Sequence, residues 1–147
     1  MFYINKITSN RTVDYAAEEM GKYLRMMMPD AGAAEITYNP NAKDGFCLGL
    51  MQDFGLDVSD AEDEAFDDII YIDTTENGGV IAGSNYRSVL LAVYEYGNEG
   101  ERVFASGKIG PVLMMSEAET EILLSDKNLF EQKIDSIKQY PVEGFKK

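Results

Sequence analysis

Apolar positions recur along this chain in two rhythms, and the change from one to the other divides it into elements. Residues 2–7, Phe-Tyr-Ile-Asn-Lys-Ile, are short and rich in β-formers, and predict a strand. Ser9, Asn10, Arg11 and Thr12 follow, with several residue types that cap helices. Val13, Ala16, Ala17, Met20, Tyr23, Leu24 and Met27 then recur at helical spacing. They form one apolar stripe, with Asp14, Glu18, Glu19, Lys22 and Arg25 largely outside it. The spacing predicts a helix over 12–28, stopped by Pro29.

Period-two patterning returns beyond that proline. Residues 36–38 predict a strand ended by Asn39-Pro40, and residues 45–51 predict another. In the second, Phe46, Leu48 and Leu50 alternate with Cys47, Gly49 and Met51, so both faces are nearly apolar and a central, doubly covered strand is expected. Residues 68–74 and 80–83 predict a strand pair, with Asn77-Gly78 between them as a hairpin turn. Ser84 or Asn85 then caps a helix over 85–97, whose apolar residues are Tyr86, Val89, Leu90, Val93 and Tyr94 and whose expected end is Gly97. Past Gly100 the pattern thins. Arg102-Val103-Phe104 predicts a last strand, 106–111 a loop, Ser116 to Glu119 a capping box, and Leu129 to Ile137 a short amphipathic helix. Each main helix carries a single apolar stripe and follows a strand, so both are expected on one face of one sheet.

Composition narrows the function classes. A length of 147 residues suits one domain, and 45% apolar residues is an ordinary globular value. Thirteen basic against 26 acidic residues leave a net charge of −13, which opposes nucleic acid and anionic membranes as partners. No apolar run approaches the ~20 residues of a membrane span, and the first five residues are too short an apolar run for a signal peptide. Cys47 is the single cysteine, so no internal disulfide is expected, and a reducing, cytoplasmic setting follows unless the chain is a fragment that has lost an export signal.

The absence of histidine removes Ser-His-Asp and Cys-His catalysis, His-ligated zinc and the usual base near neutral pH. The acidic run over 57–68 fails the calcium-loop pattern, because Ser59, Ala61 and Glu62 stand where two ligands and a glycine are required. A solvated loop or short helical turn is expected there. No metal site, cofactor or catalytic residue is assigned. The Gly79 to Gly83 strand–turn–helix lacks the order of a phosphate-binding loop and reads as a structural turn. Asn85 and Arg87, at the start of the second helix, are the ligand-binding candidates the pattern offers. For Arg87 the competing expectation is a packed stem and a hydrogen bond to a nearby carbonyl. A hidden site using Asp67, Asp68 or Arg87 is the rival enzymatic reading.

The run from Asp67-Asp68-Ile69-Ile70-Tyr71-Ile72 through Gly79-Val80-Ile81-Ala82-Gly83-Ser84-Asn85-Tyr86-Arg87-Ser88-Val89-Leu90-Leu91-Ala92-Val93-Tyr94 resembles the domain preceding the catalytic barrel in bacterial β-N-acetylhexosaminidases and α-glucuronidases. In that family a strand ends in a Gly-x-Asn-x-Arg-like turn before a helix of the form Val-Leu-x-x-Val-Tyr. The earlier helix containing residues 14–20 and the strand containing residues 46–50 occur in the family's order, and Gly100 to Pro111 echoes its next segment, with Val103 where an aromatic is common. The resemblance spans about residues 1–111 and is sharpest over 67–96. It implies an α+β fold, a mixed β-sheet with two main helices packed on one face, similar to hexosaminidase domain 2 and to the sheet arrangement of zincins, without their zinc motif. It divides the chain into an accessory domain over 1–111 and a C-terminal extension or linker over 112–147, leading toward a catalytic barrel of the same polypeptide. The abrupt finish at Gly144-Phe145-Lys146-Lys147 is then expected of a fragment. The implied role is a non-catalytic accessory or scaffold domain of a larger glycoside hydrolase in carbohydrate metabolism. A stand-alone module binding a sugar or small ligand is the alternative, weakened by the lack of tryptophan.

Overall fold

In the computed structural model the described residues are 2–8, 10–27, 34–56, 68–75, 78–99 and 104–108. They form, in chain order, β1 (Phe2–Lys6), α1 (Arg11–Met27), β2 (Ala34–Tyr38), β3 (Phe46–Leu50), a 3-10 turn (Met51–Phe54), β4 (Ile69–Thr75), β5 (Gly78–Gly83), α2 (Tyr86–Glu99) and β6 (Phe104–Lys108). The class is α+β. The six strands make one mixed sheet in the order β2-β1-β3-β5-β4-β6. β1, β2, β3 and β5 pair in parallel, while β4 runs antiparallel between β5 and β6. Among the described residues, no helix is long and apolar enough to cross a membrane.

Strand alternation decides where the core lies. Ile4, Phe46, Leu48, Ile70, Ile72 and Ile81 point to one face. On that face they meet Val13, Ala16, Ala17, Met20 and Leu24 of α1, and Val89, Leu90, Val93 and Tyr96 of α2, in one buried cluster. The two helices therefore share a face and pack against each other, as their single stripes required. The alternate residues Ile69, Tyr71, Val80 and Ala82 form a smaller cluster with Met51, Phe54 and Leu56 of the 3-10 turn and the residues next to it. β3 holds the third place in the sheet with Phe46 to Gly49 all buried, so the expectation of a covered central strand holds.

Three boundaries differ from the sequence reading, each for a packing reason. The hairpin closes on the pair Thr75↔Gly78, with Gly78 inside β5. This register sets Ile72 beside Ile81, both in the core; a turn centred on Asn77-Gly78 would set Ile72 opposite Gly83 instead. Gly97 lies within α2 and does not end it. A Cβ there would stand 2.8 Å from the Tyr23 ring, so its glycine serves the close approach of α2 to α1. The last strand covers Phe104–Lys108 along β4, so Ser106, Gly107 and Lys108 are strand where a loop was expected. Pairing with β4 satisfies backbone groups that the local sequence leaves open. Residues 57–67, 102–103 and 109–147, with the turns and helices expected in them, lie outside the described residues.

Candidate functional site

Both helices begin at the carboxyl end of a parallel strand, and the chain enters them through polar corners. At α1, Asn10 is the cap: its Oδ1 accepts the Thr12 amide at 2.8 Å, and its backbone carbonyl accepts the Asp14 amide at 2.8 Å. Asp14 in the first turn accepts the Lys6 ammonium at 2.8 Å, which ties α1 back to the end of β1. At α2, Asn85 fills the same position, its Oδ1 accepting the Ser88 amide at 2.8 Å. Of the two caps the sequence allowed, Asn85 takes the helix. Ser84 instead anchors the corner to the sheet, because its amide donates to the Ile69 carbonyl at 2.9 Å and its Oγ accepts the Ile69 amide at 3.1 Å. Gln52 Nε2 donates to the Ser84 carbonyl at 3.3 Å, joining the 3-10 turn to the same corner.

Beneath that corner lies a buried ion pair. Arg87 Nε donates to Asp68 Oδ1 at 3.1 Å, and both side chains are 0% exposed. The Ser88 hydroxyl stands 2.7 Å from the same carboxylate oxygen and 2.9 Å from Asn85 Oδ1. Its one proton serves one acceptor at a time, and the charged carboxylate is the stronger of the two. The structure thus brings together Asn85 and Arg87, the two binding candidates, and adds Asp68, Ser84 and Ser88. Asp68, expected in the solvated acidic run over 57–68, instead sits at the mouth of β4 with its carboxylate enclosed. The partner of Arg87 Nε is the Asp68 carboxylate, and its side chain is packed and buried as the competing expectation had it. Asp67 lies outside the described residues. The sequence signal for the pair was an arginine two residues past a capping asparagine, and an aspartate directly before an apolar strand.

This corner exists because α2 approaches β5 closely. A Cβ on Gly83 would lie 2.4 Å from the Val89 amide nitrogen and 2.5 Å from the Ser88 carbonyl carbon, which are backbone atoms that cannot swing aside. Gly83→Ala is therefore expected to lower stability by roughly 1–3 kcal/mol through overpacking. A urea melt of the variant with an unchanged midpoint would contradict this account of the corner.

A second polar cluster joins the helices, and pattern reading missed it. Glu19, expected outside the apolar stripe of α1, is 5% exposed. Tyr94 of α2 donates its hydroxyl to Glu19 Oε1 at 3.1 Å, and the Lys22 ammonium reaches Oε2 at 3.0 Å. Burial alone would raise the Glu19 pKa. The hydrogen bonds from Lys22, Tyr15 and Tyr94, with the Lys22 charge, outweigh it and hold the carboxyl below its usual range. Burial, with the Glu19 charge next, pushes the Tyr94 phenol far upward, so it stays a donor. Because the folded-state pKa of Glu19 is depressed, its stabilisation is present above the unfolded value of ~4.3 and is lost as pH falls through the folded value. Glu19→Gln is expected to flatten the acid limb of the stability profile below about pH 5. Denaturant midpoints between pH 3 and 7 read this directly, and parallel profiles for the two proteins would rule it out.

Cys47 stands in β3. It is buried, and its thiol points at the carbonyls of Ala42 and Asp44, 3.7 Å from each. Burial, and then the Asp44 charge, push its pKa up, away from the thiolate. Among the described residues, no three His, Cys, Asp or Glu side chains are grouped to hold a metal. The geometry around Asp68 and Arg87 is that of a structural clasp. It joins the start of β4 to the first turn of α2. No protein-family model and no curated protein matches this chain.

Proposed function

We propose that the chain is a non-catalytic accessory or scaffold domain of a larger glycoside hydrolase, supporting a catalytic barrel of the same polypeptide. One observation carries the reading. The Gly83-Ser84-Asn85-Tyr86-Arg87 corner, the segment on which the resemblance is sharpest, turns its polar groups inward, onto the carboxylate of Asp68 and the cap of α2. Glycoside hydrolysis needs two carboxylates facing a bound sugar, one of them an acid of raised pKa. Of the three buried carboxylates described, Glu19, Asp68 and Glu95, Asp68 is held by Arg87 and Ser88, and Glu19 by Lys22 and Tyr94 with its pKa lowered. The lowered pKa of Glu19 is the opposite of what a general acid needs, and both pairings suit architecture. The mixed sheet with two helices on one face agrees with the α+β arrangement that the resemblance implies.

The purified chain is expected to release no chromophore from nitrophenyl β-N-acetylglucosaminide or nitrophenyl glucuronide. Turnover that survives repurification would overturn the proposal. The gene supplies the second test: a barrel-coding continuation after Lys147 supports it, and a stop codon at that point defeats it.

A further inference from the structure

We draw no further inference here: the strongest candidate, the outer strand β2 with its exposed Ile36 and Tyr38, is an apolar sheet edge, and nothing in the structure shows what covers it.

Discussion

Replacing Arg87 with methionine is expected to destabilise the domain by roughly 3–5 kcal/mol, the cost of leaving a buried charge without its partner. The Asp68 carboxylate is wholly enclosed, and the Arg87 guanidinium is paired with it. After substitution the Ser88 hydroxyl still reaches Asp68 Oδ1, but a neutral donor does not replace a cation in a medium of low dielectric. Against a typical domain stability of about 5–15 kcal/mol, such a loss leaves the fold marginal. The double variant Arg87→Met with Asp68→Leu separates charge from shape. Buried ion pairs replaced together by apolar residues of similar volume are often neutral or stabilising, so the double variant is expected to recover most of the loss. Urea midpoints of the wild type, both single variants and the double variant complete the cycle. A single variant within about 1 kcal/mol of wild type would show that the clasp does not hold β4 to α2.

Met20→Asp is expected to have an effect at least as large. Met20 is 0% exposed within the main cluster between α1 and the sheet. Its removal forfeits ~1.5–3 kcal/mol of burial. An ionised carboxylate at that position adds several kcal/mol unless it protonates. It will protonate, so its folded-state pKa rises above the unfolded value of ~3.9. The penalty is therefore smallest below that value and grows as pH rises through the folded pKa. The variant is expected to be unfolded at pH 7 and to regain part of its helical circular dichroism near pH 4. Met20→Leu, which conserves volume, should cost under about 1.5 kcal/mol and serves as the control. A Met20→Asp protein with wild-type urea stability at pH 7 would mean that α1 does not bury this side of its stripe.

Much of this architecture was legible from local pattern alone. The α1 stripe was readable because Val13, Ala16, Ala17, Met20 and Leu24 all face the sheet, and helical periodicity is a property of a single segment. β3 was readable as central because both of its faces are apolar. The Asn85 cap and Arg87 were singled out by position, since a capping residue acts on amides two or three places ahead. What each did was less visible. Glu19 was expected on the polar side of α1, and only the packing of α2 against that flank encloses its carboxylate beside Tyr94. Gly97 was read as a helix end because that is the commonest local reason for such a glycine; its reason here is a ring from another helix.

By itself, then, the sequence determined the order of strands and helices, the shared helical face, and the absence of histidine chemistry, because these follow from side-chain periodicity and residue inventory. Tertiary structure alone decided the sheet order, the hairpin register, the extension of the last strand from Phe104 to Lys108 and the partner of Arg87. Each of these depends on which distant segment lies alongside. Asp68 and Arg87 are 19 positions apart, and no spacing rule links them. Their pairing is set by the antiparallel return of β5 beside β4, and by the closeness of α2 that Gly83 permits. In that buried corner a charge without a counter-charge is too costly to keep, so the fold selects the partner that local sequence could not name.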